Sequence, residues 1–100
     1  MNGREEVLVK TNDVSVRILT LAPGEIAPWH FHQQVVDNMF CLSGRIAVDF
    51  QDSGERQVLE PGDRCEVRTG RVHRVVNLGD QPAEYLLVQG VGTYDFNIVR

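Results

Sequence analysis

The chain has 100 residues, 42% of them hydrophobic and 24% charged, which suits one globular domain over residues 1–100 with a real core and argues against disorder. Its net charge of −4 disfavours nucleic acid as a partner, because holding a phosphate backbone takes a surplus of Lys and Arg. No apolar run approaches the ~18 residues of a membrane span, and the start MNGREEVLVK lacks an apolar signal-peptide core, so no membrane contact and a cytoplasmic setting are expected.

Along the chain, period-2 alternation and β-branched residues dominate, and no segment sustains a 3.6-residue period. EEVLVK and VSVRILTL come first, separated by the turn Thr11-Asn12-Asp13. Pro23-Gly24 leads into IAPWHFH, and a short link then reaches NMFCLS, with Asp37 at the start of that strand. Ser43-Gly44 turns the chain into RIAVDF, Asp52-Ser53-Gly54 into RQVLE, Pro61-Gly62-Asp63 into RCEV, and Thr69-Gly70 into HRVVN. Gly79-Asp80-Gln81-Pro82 precedes AEYLLVQG, and YDFNIV closes the series. Ten short strands with turns every eight to twelve residues predict an all-β antiparallel sandwich or barrel. Cys41 and Cys65 each fall in an apolar alternating segment, so both are expected to be buried and reduced.

Chemistry concentrates in PWHFHQQVVDNMF. Residues i and i+2 of a strand project from one face with Cα atoms ~6.5–7 Å apart, so the rings of His30 and His32 can converge on one ion. Asp37 follows after a four-residue link and can bring an oxygen beside them, while parity puts Met39 and Cys41 on its face and Phe40 and Leu42 on the other. Taken alone, H-x-H followed by an acid fits hydrogen-bonded strand histidines as readily as metal ligands. The third histidine, His73, lies beyond a Gly turn in GDRCEVRTGRVHRVVN.

Two spaced patterns emerge. One is Gly24, five residues, His30-Phe31-His32, four residues, Asp37, six residues, Gly44. The other is Gly62, five residues, Arg68-Thr69-Gly70, two residues, His73, three residues, Asn77. Together they resemble the two motifs of the cupin superfamily, G-x5-H-x-H-x3,4-E-x6-G and G-x5-P-x-G-x2-H-x3-N. The resemblance implies a cupin-type double-stranded β-barrel, jelly-roll-like, of about ten short antiparallel strands. It further implies that His30, His32 and His73 hold one divalent metal ion per chain, with Asp37 as the fourth ligand. Two positions depart from the family pattern. Asp37 stands where the family has glutamate, about one C–C bond (~1.5 Å) shorter, so direct ligation and contact through water both stay open. Arg68 replaces a proline and only loosens the turn before Gly70. Three imidazoles and a carboxylate suit Fe, Mn, Ni, Co, Cu or Zn, and affinity order does not choose among them. An octahedral ion so held keeps two positions for water or substrate.

Arg64, Arg68, Arg71 and Arg74 cluster around His73. Most are expected to pair with surface acids, with Arg71 the candidate for holding a substrate carboxylate or phosphate. Gln33 and Gln34 read as solvated turn residues, Trp29 faces away from His30, and Tyr85 and Tyr94 have no partner visible in sequence. The implied function is a metal-dependent enzyme acting on a small polar or anionic molecule by dioxygenase, isomerase or epimerase, or lyase chemistry. The alternatives are a non-catalytic module that binds a small ligand or senses a metal, and a purely structural barrel. The resemblance also implies a homodimer, for which outward Phe40 and Leu42 and the apolar Val7-Leu8-Val9 supply a surface.

Overall fold

The computed structural model describes residues 4–90 and 96–99. They contain ten strands: β1 (Arg4–Lys10), β2 (Ser15–Leu21), β3 (His30–Phe31), β4 (Val36–Ser43), β5 (Ile46–Phe50), β6 (Arg56–Leu59), β7 (Arg64–Val67), β8 (His73–Asn77), β9 (Ala83–Gly90) and β10 (Asn97–Ile98). Two five-stranded antiparallel sheets form, in the orders β1-β2-β9-β4-β7 and β10-β3-β8-β5-β6. This is the expected double-stranded all-β architecture. Alternation explains the core: Leu19, Met39, Cys41 and Leu87 of the first sheet meet Ile46, Val48, Phe50 and Val75 of the second, all buried. Cys41 and Cys65 are buried free thiols, and burial pushes the Cys65 thiol up to about 11.

Three expectations need adjusting. IAPWHFH is not one strand: only His30–Phe31 pair regularly, and Ile26 makes an isolated bridge to Val76. Pro28 has no N–H to give to a ladder. Between Ile26↔Val76 and His30↔His73 the chain fits one more residue on its own side than on β8, a bulge that re-aims the strand just before the histidines. Strand β4 begins at Val36, so Asp37 lies inside the strand and not at its start, clamped between β7 and β9. Of YDFNIV, Asn97–Ile98 pair with β3, while Tyr94 and Asp95 lie outside the described residues.

Two residues of the spaced patterns hold the scaffold. Gly44 has φ +78° and an added Cβ would sit 2.7 Å from Ala83 Cβ, so only glycine lets the β4–β5 turn close on β9. The buried Asn77 amide donates to the carbonyls of Leu21, Ala22 and Gln81 at 3.2, 3.1 and 2.8 Å, and its Oδ1 accepts from Gly79 N–H at 2.9 Å. It braces the end of β8 against the chain leaving β2.

Candidate metal centre

The two sheets contribute opposite halves of one buried cluster. His30 lies on β3, His32 just after it, and His73 on β8, all from the second sheet, while Asp37 comes from β4 of the first. The amide of Gly70 donates to the His32 carbonyl at 2.7 Å and ties the two histidine-bearing segments together. One ligand atom from each of the four residues lies within 4.8 Å of the others, and all four residues are buried. The shorter aspartate reaches: its Oδ2 lies 3.0 Å from His32 Nε2 and 3.3 Å from His73 Nε2.

Backbone carbonyls orient two of the rings. His30 Nδ1 lies 2.9 Å from the Pro28 carbonyl and His73 Nδ1 lies 2.8 Å from the Arg71 carbonyl. Donating Nδ1–H there leaves the Nε2 lone pair of each ring for the cluster. A lone pair on His73 Nε2 facing a carboxylate oxygen is repulsive unless a proton or a metal cation relieves it. The donor set therefore fits a cation. Neighbouring donors around an ion with ~2.0–2.2 Å bonds sit roughly 3 Å apart, as the Asp37–histidine separations do.

Electrostatics prepare His30 and Asp37 in the protonation states a metal requires. Burial, reinforced by His73, pushes His30 down to about 4, which keeps the ring neutral near pH 7. Burial alone would raise the Asp37 carboxyl, but with no metal bound, hydrogen bonds donated to it by His32, His73 and Gln89 outweigh burial and hold the group well below the usual carboxylate range.

Two residues that the sequence reading did not single out complete the site. Gln89 of β9 is 1% exposed and its Nε2 donates to Asp37 Oδ1 at 2.9 Å. Arg17 of β2 donates to Gln89 Oε1, which sets the amide so that its NH2 group faces Asp37. Both were detectable by parity. Arg17 alternates with Leu19 and Leu21, and Gln89 with Tyr85 and Leu87, so each is a polar residue on an inward face.

Beside the cluster lies a cavity of about 380 Å³, walled by Leu19, Met39, Tyr85 and Leu87 and bordered by Phe96, whose ring stacks on His30 at 4.3 Å. Arg71 is not in that wall. Its guanidinium pairs with Asp52 at 3.3 Å and Glu55 at 3.6 Å and lies 3.7 Å over the Phe50 ring, so what it offers the cluster is its main-chain carbonyl. The neighbouring arginines behave as expected: Arg68 approaches Glu66, Arg74 pairs with Asp49, and Arg64 bonds Asn38. Gln33 and Gln34 are exposed, and Trp29 faces away from the cluster under the Arg74 guanidinium.

Two facing antiparallel sheets with a buried three-histidine, one-carboxylate cluster between them define a double-stranded β-barrel with a candidate metal site. The Cupin domain family model matches residues 17–89, and the chain belongs to that family. Germin-like protein 2-4 of Oryza sativa subsp. japonica is 37% identical over 65 residues, covering 62% of this chain and 28% of that protein. The chain spans about a third of the length of the curated relatives it matches. An uncharacterized conserved protein with a double-stranded beta-helix domain from Klebsiella pneumoniae superposes with a TM-score of 0.86 at 26% identity, covering 98% of this chain and 84% of that one. Oxalate oxidase in complex with the substrate analogue glycolate superposes with a TM-score of 0.82 at 21% identity, over 97% of this chain and 55% of that one, a likeness of fold. Among the described residues no helix is long and apolar enough to cross a membrane.

Proposed function

We propose that this protein binds one divalent metal ion through His30, His32, His73 and Asp37 and works as a metal-dependent enzyme on a small polar or anionic molecule. The observation behind the reading is the convergence of three imidazoles on one buried carboxylate beside a cavity of about 380 Å³. A divalent ion bound there supplies Lewis acidity toward an oxygen of the substrate. The rest falls to the chain. The Pro28 and Arg71 carbonyls hold two rings in the tautomer that presents Nε2. Gln89 orients the carboxylate. Leu19, Met39 and Leu87 keep the adjoining wall apolar, which strengthens polar contacts made inside. Dioxygenase, isomerase and lyase chemistry all use such a site.

Elemental analysis of protein purified without added metal, followed by O₂ uptake and product detection with a panel of small acids that starts from glycolate, tests the reading. One transition-metal ion per chain with turnover of an acid is the expected outcome. Metal without turnover across the panel moves the reading to a non-catalytic binding or sensory module. Protein that neither retains nor takes up a divalent metal overturns both.

A further inference from the structure

We propose that Arg17 is the anchor for a substrate carboxylate, and that Glu5 holds the anchor's place until substrate exchanges with it. The proposal rests on the metal-site reading for where the rest of the ligand lies, and deepens it by naming the ligand as a small monocarboxylate with an apolar tail.

Arg17 projects from the inward face of β2, in line with the core residues Leu19 and Leu21. A cation on that face costs desolvation that an outward position would avoid. Its side chain is 14% exposed, and it is the one Lys or Arg among the described residues bordering the cavity beside the histidines. Glu5 borders the same cavity from β1, and its Oε2 lies 3.2 Å from Arg17 Nη1. Arg17 also donates to Gln89 Oε1, and Gln89 donates to Asp37 Oδ1 at 2.9 Å. A polar row thus crosses the four adjacent strands β1, β2, β9 and β4 and ends on the histidine cluster. The guanidinium stands one amide side chain away from Asp37.

Glu5 shows what this guanidinium accepts, a carboxylate arriving from the open side of the cavity. The Glu5 side chain is 41% exposed, and every residue of β1 is exposed. With its Glu5 end this exposed, the pair is worth only about fivefold in an equilibrium, so a better-placed carboxylate displaces Glu5. Arginine suits the exchange because its planar fork takes a carboxylate through two parallel N–H bonds. The rest of the wall, including Leu19, Met39, Leu87 and Ile98, offers few polar partners, which selects an apolar tail.

The test is calorimetric titration of metal-free and zinc-loaded protein with 2-hydroxyhexanoate and with its neutral amide, 2-hydroxyhexanamide. The wild-type chain is expected to prefer the acid in both forms. Arg17→Met should abolish the preference, weakening the acid about 10–100-fold while leaving the amide nearly unchanged. Glu5→Gln, an exposed substitution that leaves the fold alone, should tighten the acid by up to about fivefold. An acid preference that survives Arg17→Met, the lack of any preference in the wild type, or weaker acid binding by Glu5→Gln overturns the proposal. Failure of the metal-site reading is seen separately, as absent zinc uptake by elemental analysis with the acid preference of the metal-free protein intact.

Discussion

Asp37 carries one methylene fewer than the glutamate of the family motif, yet its Oδ2 lies 3.0 Å from His32 and 3.3 Å from His73. The backbone makes up the difference, because Asp37 sits inside β4 with ladders on both sides and no freedom to recede. A site shaped this way makes two predictions. Asp37→Asn removes the only anionic donor and should weaken metal retention by well over tenfold in a competitive chelator titration. Asp37→Glu should bind metal no better than the parent, since the shorter side chain already reaches both rings; clearly tighter binding would mark a vestigial site. Gln89 acts through Asp37. Gln89→Leu deletes the 2.9 Å donor to Oδ1, so metal affinity should fall about 10–100-fold in the same titration while the fold persists. Unchanged affinity would show that the histidines alone set the carboxylate.

At the level of elements, β8 does two jobs: it presents His73 at one end and anchors itself with Asn77 at the other. The Asn77 side chain donates to three carbonyls and accepts from one backbone amide. Asn77→Ala should therefore lower stability by about 2–3 kcal/mol in urea unfolding, with Asn77→Asp failing to rescue because a carboxylate cannot donate to carbonyls. Full rescue by aspartate would show that the Gly79 bond alone matters. The β3 segment illustrates a different point. A run that alternates well enough to read as seven strand residues is broken by Pro28, and the resulting bulge, together with the Pro28 carbonyl, positions His30.

The whole molecule reports on the buried histidine through its response to acid. His30 titrates at about 4 in the folded protein against 6.5 for an ordinary imidazole, so the unfolded chain takes up the proton more readily. Metal-free stability should therefore be full above about pH 6.5 and fall as pH drops toward about 4. Asp37, also lowered, adds a further loss as pH falls below its ordinary 3.8. Urea midpoints measured against pH should show both phases, and His30→Phe should flatten the first; a slope unchanged by that substitution would assign it elsewhere. The outer surface makes its own prediction. Val7, Leu8 and Val9 of edge strand β1 are 51%, 47% and 48% exposed, an apolar strip on a strand with one open ladder side. A homodimer that covers it should appear as twice the chain mass by light scattering at micromolar concentration, and Val9→Lys should return the monomer. A monomeric parent would refute the dimer.

What the amino-acid order determined by itself was local. Strand period 2 placed His30 beside His32, turn residues divided the chain into its ten strands, and alternation set Asp37, Met39 and Cys41 on one face with Phe40 and Leu42 on the other. Nothing local told which strands would become neighbours. Arg17, Gln89 and Asp37 join only because β2, β9 and β4 lie side by side, and hydrogen bonds between strands far apart in sequence leave no spacing to read. Arg71 shows the converse: nearness to His73 in the chain suggested a side chain at the site, but the turn sends its guanidinium out to Asp52 and only its carbonyl inward. Side-chain type and period are properties of the chain, whereas the pairing of sheets, and with it the row of donors behind the carboxylate, is settled by the packing of one face on another.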